Sequence, residues 1–177
     1  PTTKLQLEWS MEKGFEGIRI DTERLVDPES RDAVITETVK KAVRLLEKGV
    51  NPAVYTALGP DDPVICKTNQ VIARLGLSDS SNSEHIASTQ GIMLKRILEG
   101  VKDRIRVVVA GGDTSGHVSR ALEITALETL VPIAPGAPLC LAHSADSRFD
   151  GMEISLKGGQ NGKKRYFESI LEGCALE

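Results

Sequence analysis

The chain has 177 residues, with 40% apolar and 27% charged residues, 16 glycines and 8 prolines, a balance that fits one globular domain and excludes disordered, collagen-like and coiled-coil chains. Its 22 Lys and Arg against 25 Asp and Glu leave a net charge of -3 with no long block of either sign, which disfavours nucleic-acid binding, because counterion release needs clustered cations. No apolar run approaches the roughly 18 residues that span a bilayer, no secretory leader is visible, and Cys66, Cys140 and Cys174 form no C-x-x-C pair, so a membrane, a disulfide framework and a zinc site are not indicated and a reducing cytoplasm fits best.

The chain starts with Pro1 rather than Met, which points to a processed chain or a fragment. Leu5, Leu7, Trp9 and Met11 then alternate with polar residues, a period of two that argues for a strand. The same stretch is rich in helix formers and ends in Glu12-Lys13-Gly14, a helix-terminating sequence. Gly17-Ile18-Arg19-Ile20 reads as a short strand. Asp27-Pro28-Glu29 opens a helix in which Ile35, Val39, Ala42, Val43 and Leu46 recur at helical spacing; an Asp N-cap, a Pro at N1 and a closing Lys48-Gly49 agree with one another. Ala53-Val54-Tyr55-Thr56 is a second strand. Gly59-Pro60-Asp61-Asp62-Pro63 is an acidic turn, more simply an exposed loop than a metal site.

A further helix runs from Glu84 to about Leu98, with Ser81-x-x-Glu84 as a capping box and Gly100 as its stop. Ile105-Arg106-Val107-Val108-Val109-Ala110 is a third strand, nearly continuous in valine as a strand buried on both faces should be. A helical pattern follows from about His117 to Leu122, and Pro135-Gly136-Ala137-Pro138 is a stiff turn between apolar runs. Met152-Glu153-Ile154-Ser155-Leu156 is a fourth strand, and Tyr166 to Leu171 a closing helix. The alternation of strands and helices predicts an α/β fold, a three-layer sandwich whose mostly parallel sheet is flanked by helices, over residues 1–177 as one domain.

Chemistry concentrates at two glycine turns. In Val109-Ala110-Gly111-Gly112-Asp113-Thr114-Ser115-Gly116 a strand runs into a turn whose glycines permit close backbone approach, and Thr114 and Ser115 can cap the following helix. Such a helix start is an anion cradle, or equally a tight turn with glycine for steric reasons only. Lys157-Gly158-Gly159-Gln160-Asn161-Gly162 follows the fourth strand, and if the two strands are parallel neighbours the turns meet at one crevice. Lys157 would meet a phosphate as a point charge, or simply be a solvated lysine. Asp113 could hold Mg²⁺ on a polyphosphate, or accept amides of its own turn. The turn at Gly136 could wall an adenine pocket or be a plain connection. Neither glycine cluster matches a Walker or dinucleotide motif. His85, His117 and His143 show no metal-ligand spacing.

The motifs at 108–116, 135–139 and 156–162, in that order and spacing, resemble the C-terminal nucleotide-binding domain of the four-carbon acid sugar kinases. The resemblance covers essentially the whole chain. It implies that Gly111, Gly112, Asp113, Thr114 and Ser115 lie beside ATP phosphates and Gly158 and Gly159 beside the nucleotide, with Lys157, Gly162 and Gly136 as secondary candidates and Asp113 on the Mg²⁺ side. It also implies that an N-terminal domain, absent here, binds a sugar acid such as threonate, erythronate or an oxo-tetronate and carries the general base. A Gly-Ser-x-Ser-Pro-x-Thr motif marks the first strand of this domain in the family. Pro1-Thr2-Thr3 looks like its tail, so the motif's serines and the strand before them would be missing. The segment after that motif is helical in the family, so Thr3 to Lys13 is expected to be a helix. A non-catalytic nucleotide-binding or regulatory module is the alternative, and oligomeric state is left open.

Overall fold

A computed structural model describes residues 2–77 and 79–175, the side chains of 79–83 aside. The elements in chain order are α1 (Thr2–Glu12), β1 (Glu16–Arg19), α2 (Thr22–Val26), α3 (Arg31–Glu47), β2 (Pro52–Tyr55), α4 (Pro63–Arg74) and α5 (Asp79–Glu99), then β3 (Val107–Ala110), α6 (Gly112–Ala121), β4 (Ile124–Ala134), β5 (Ala137–Ser144), β6 (Met152–Lys157) and α7 (Tyr166–Glu172). The first segment is a helix, as the resemblance implies and against its period of two. Gln6, Leu7 and Ser10 are its buried positions, a helical grouping, while Leu5 of the alternating set is 52% exposed.

Several boundaries differ from those read in the sequence. Asp27-Pro28 does not open α3, which starts at Arg31 with Ser30 as its N-cap residue. The reason lies in α2, whose terminal carbonyls are claimed from the other side: the Ser30 hydroxyl donates to the Arg24 carbonyl and the Arg31 guanidinium to those of Leu25 and Val26. Asp27 meanwhile accepts the Glu29 amide, closing a turn. The acidic turn at 59–63 is the start of a helix: Asp62 accepts the Val64 amide, Pro63 takes the first turn of α4, and the Asp62 carboxylate also pairs with Arg19 at 2.9 Å. Helix α5 is already under way at Asp79, so Ser81 lies inside it rather than at its cap.

The strands form two sheets, β1-β2 and β3-β6-β5-β4. The parallel ladders β1·β2 and β3·β6 join the four strands legible in the sequence. The β4–β5 hairpin around Gly136, together with the β5·β6 ladder, adds antiparallel pairing on the far side. Helices cover the larger sheet on both faces. Val107, Val109 and Ile154 pack with Val118 of α6 and with Leu122 just past its end, while Ile133, Leu139 and the half-buried Val108 pack with Tyr166 and Ile170 of α7. A second core joins Ile20, Val34 and Ile35 to Met93 of α5, so α5 bridges the two sheets.

Candidate functional site

Ala110 pairs with Lys157 at the carboxyl ends of neighbouring parallel strands β3 and β6, so the two glycine turns leave the sheet side by side. The Gly111 amide donates to the Lys157 carbonyl at 2.9 Å, tying one turn to the other. The two strands are thus the parallel neighbours on which a shared crevice depends, and the carboxyl edge of a parallel sheet is where α/β folds place ligands.

Gly111 is the N-cap residue of α6 at φ +133, a conformation that an L side chain rarely adopts. Gly112 is the first helical residue, and a Cβ there would meet nothing within 4 Å. The space beside it is open. The helix therefore begins at Gly112, and Thr114 and Ser115 sit in its first turn rather than capping it. Their hydroxyls are engaged elsewhere: Ser115 donates to the Gly111 carbonyl at 2.7 Å and Thr114 to Gln90 Oε1 at 3.1 Å. Among the described residues the amides of Gly112, Asp113 and Thr114 have no acceptor, as expected of a helix start. The exposed Asp113 carboxylate accepts none of these amides, so the local-turn role weighed for it is not the one it plays.

The second turn is held from two directions by residues that sequence reasoning did not single out. From α1, the Thr3 hydroxyl donates to the Gly159 carbonyl at 2.8 Å, and Gln6 Nε2 donates to the carbonyls of Asn161 and Lys163, each at 3.0 Å. From inside the turn, Asn161 Nδ2 donates to the carbonyls of Pro135 and Gly136 at 3.3 and 3.1 Å. The hairpin at Gly136 is thereby stapled to the Gly158–Gly159 turn. Gly162 sits at φ +83, where a Cβ would strike the Tyr166 ring at 2.5 Å. Gly136 and Gly162 thus shape the turn from beneath. An Asn inside a glycine run is the one signal that could have marked this clasp.

Lys157 is not a solvated lysine. It is 2% exposed, its Nζ reaches the Thr3 hydroxyl at 3.3 Å and lies 5.6 Å from the Tyr166 ring centroid, and no carboxylate pairs with it among the described residues. Burial lowers its pKa to about 8, because an ammonium removed from water without a counter-charge is destabilised. Three free amides thus open α6 after the first turn, and a buried cation lacking an anion stands at the start of the second, on the side of Thr3 and Tyr166.

Among the described residues no three His, Cys, Asp or Glu side chains cluster as a metal site. Mg²⁺ in phosphoryl-transfer sites needs only one or two carboxylates beside phosphate oxygens and waters, a demand that the free Asp113 carboxylate fits. The three cysteines are unpaired, and no helix among the described residues is long and apolar enough to cross a membrane.

Residues 1–167 match the family model described as a nucleotide-binding C-terminal domain. The chain is 37% identical over 98% of its length to a 3-oxo-isoapionate kinase of Paraburkholderia graminis, and 29% identical over 91% of its length to a 3-oxo-tetronate kinase of Cupriavidus necator. It spans 37% and 33% of those two proteins, about a third of each. Among solved structures it is similar to a Haemophilus influenzae protein, with TM-score 0.75 and 23% identity over 97% of this chain and 37% of that one. It is also similar to a Bordetella bronchiseptica domain of unknown function crystallised with citrate as a domain-swapped dimer, with TM-score 0.68 and 18% identity over 98% of this chain and 39% of that one.

Proposed function

Because the chain belongs to the nucleotide-binding C-terminal domain family of the four-carbon acid sugar kinases, we propose that it is the ATP-binding part of a kinase that phosphorylates a four-carbon sugar acid of the threonate, erythronate or oxo-tetronate type. The observation that carries this reading is the pairing of two glycine turns over a buried, unpaired ammonium at one sheet edge. Phosphates are accepted there by the free amides of Gly112, Asp113 and Thr114 and by the positive end of α6. Gly158 and Gly159 supply the facing backbone, and Lys157 lies beneath the turn they form. Mg²⁺, when bound, neutralises charge on the phosphate oxygens, and Asp113 is the carboxylate that would hold it.

These residues position the donor and balance charge, which is the larger part of catalysis in phosphoryl transfer. The sugar acid and the base that takes its hydroxyl proton belong to the rest of the kinase, in keeping with the share of the relatives that this chain covers. The three unpaired thiols suit a reducing cytoplasm. The test is ADP release by the full-length protein with Mg-ATP and a panel of four-carbon acids. Turnover confined to one or a few of these acids is expected; phosphorylation of none, with intact folding, would overturn the kinase reading.

A further inference from the structure

Helix α5 turns an apolar stripe inward. Ile86 and Met93 pack in the core that joins it to β1 and α3, and Met93, Leu94 and Ile97 line a slot of about 610 Å³ between β2 and β3. Gln90 stands in the middle of this stripe, one turn from Ile86 on one side and from Met93 and Leu94 on the other, and lines the same slot. A carboxamide on an inward apolar face costs free energy unless its polar atoms find partners. One of them does. Gln90 Oε1 accepts the Thr114 hydroxyl at 3.1 Å, across a close contact between α5 and α6 that exists because Gly91, the next residue, has no side chain to meet the His117 carbonyl. The other does not: among the described residues Gln90 Nε2 has no acceptor.

We propose that Gln90 is a further phosphate-binding residue of the nucleotide site, its Nε2 donating to a phosphate oxygen of the bound nucleotide; this rests on the reading of the first glycine turn as a phosphate cradle. Position supports it. Thr114 is the third residue of α6, and its own amide is one of the three without an acceptor. Its Oγ1 lies 3.5 Å from where a Gly111 Cβ would project, so the hydroxyl that holds Gln90 stands against the turn itself and fixes the carboxamide at the same rim as the free amides. Chemistry supports it too. With Oε1 committed to Thr114, the group's remaining capacity is to donate, and a phosphate oxygen only accepts. An N–H given to an anionic oxygen is among the stronger hydrogen bonds, and a side chain already pinned at one end loses less freedom in making it.

The test is calorimetric titration of the full-length protein with Mg-ATP, read beside the Tm of the free protein, for the parent, Gln90→Met and Gln90→Glu. Methionine fills the same space on the apolar stripe and makes neither bond; glutamate keeps an acceptor for Thr114 and lacks the donor. Both variants are expected to melt close to the parent and to bind Mg-ATP roughly 10- to 100-fold more weakly, the loss of one hydrogen bond to a charged group. Gln90→Glu should be the weaker of the two, because its charge repels the phosphates. A residue that served only to brace Thr114 would give another pattern: Gln90→Glu would bind as the parent does, and Gln90→Met would lose Tm along with affinity. Either result overturns the proposal, as does parent-like affinity in Gln90→Met. The readout is binding rather than turnover, so the kinase reading fails separately. A parent that binds Mg-ATP and phosphorylates none of the four-carbon acids overturns that reading alone, whereas a parent that binds no Mg-ATP overturns both.

Discussion

Gly111 and Gly112 stand side by side but are glycine for different reasons. Gly111 is held at φ +133, so any side chain there strains the turn itself. Gly112 has ordinary backbone geometry and open space where a Cβ would project, so a side chain there obstructs only what approaches from outside. Gly112→Val should therefore leave Tm nearly unchanged while weakening Mg-ATP binding by the full-length protein roughly 10- to 100-fold, the loss expected when backbone approach to a phosphate is blocked. Calorimetric titration alongside thermal melting checks both halves.

Lys157 offers a test through pH. Its folded pKa of about 8 lies below its ordinary value of 10.5, so between these values the unfolded chain holds a proton that the folded chain has released. Stability should therefore rise with pH from about 8 to 10.5 and carry the full cost of the buried charge below 8, on the order of 3 kcal/mol. Lys157→Met should flatten that rise and stabilise the protein at pH 7, as denaturant titrations at several pH values would show. An anion beside the ammonium restores the charged form, so nucleotide binding near pH 8 should take up roughly half a proton. Calorimetry in buffers of different ionisation enthalpy reads that uptake directly; its absence would remove Lys157 from the phosphate site.

At the scale of elements, α5 and α6 approach closely at Gly91, where a Cβ would lie 3.0 Å from the His117 carbonyl oxygen and 3.3 Å from the Ala121 Cβ. Both neighbours belong to the helix that carries the glycine rim. Gly91→Ala should cost about 1–2 kcal/mol net, overpacking against helix backbone outweighing the gain in helix propensity, and urea denaturation would measure it. The closing helix α7 is anchored by Tyr166, 1% exposed, whose hydroxyl bonds Ser155 and donates to the Ala137 carbonyl. Tyr166→Phe strips the partner from a buried carbonyl and should destabilise by about 1–2 kcal/mol.

Legibility also varied by element. The Asp-Pro pair occurs twice, at Asp27-Pro28 and Asp62-Pro63, and opens a helix only at the second, because α2 already occupies the residues before Asp27 and its carbonyls draw Ser30 and Arg31 into place. A local cap signal does not reveal what the preceding carbonyls need. The β4–β5 hairpin was hidden for another reason. β4 is an edge strand, exposed along most of its length, with Pro132 inside it and register shifts around Val131, so it has neither the alternation nor the continuous apolar run that marks a strand. The valine-rich β3 and the two glycine turns were plain, since their chemistry is local. The burial of Lys157 under Thr3 was not, because it depends on contacts 154 residues apart.

At the scale of the whole molecule, two sheets bridged by α5 flank a slot of about 610 Å³ whose lining reaches Ala110 and Thr114, on either side of the first glycine turn. The rim's two turns come from one sheet, while the α1 contacts that hold the second turn come from the very start of the chain.

The central claim is that nucleotide phosphates sit on the paired turns, and the most direct measurement is amide hydrogen exchange of the full-length protein with and without a non-hydrolysable Mg-ATP analogue. Protection concentrated at residues 111–115 and 158–159 is the predicted result. Saturable binding that leaves the exchange of both turns unchanged would contradict it.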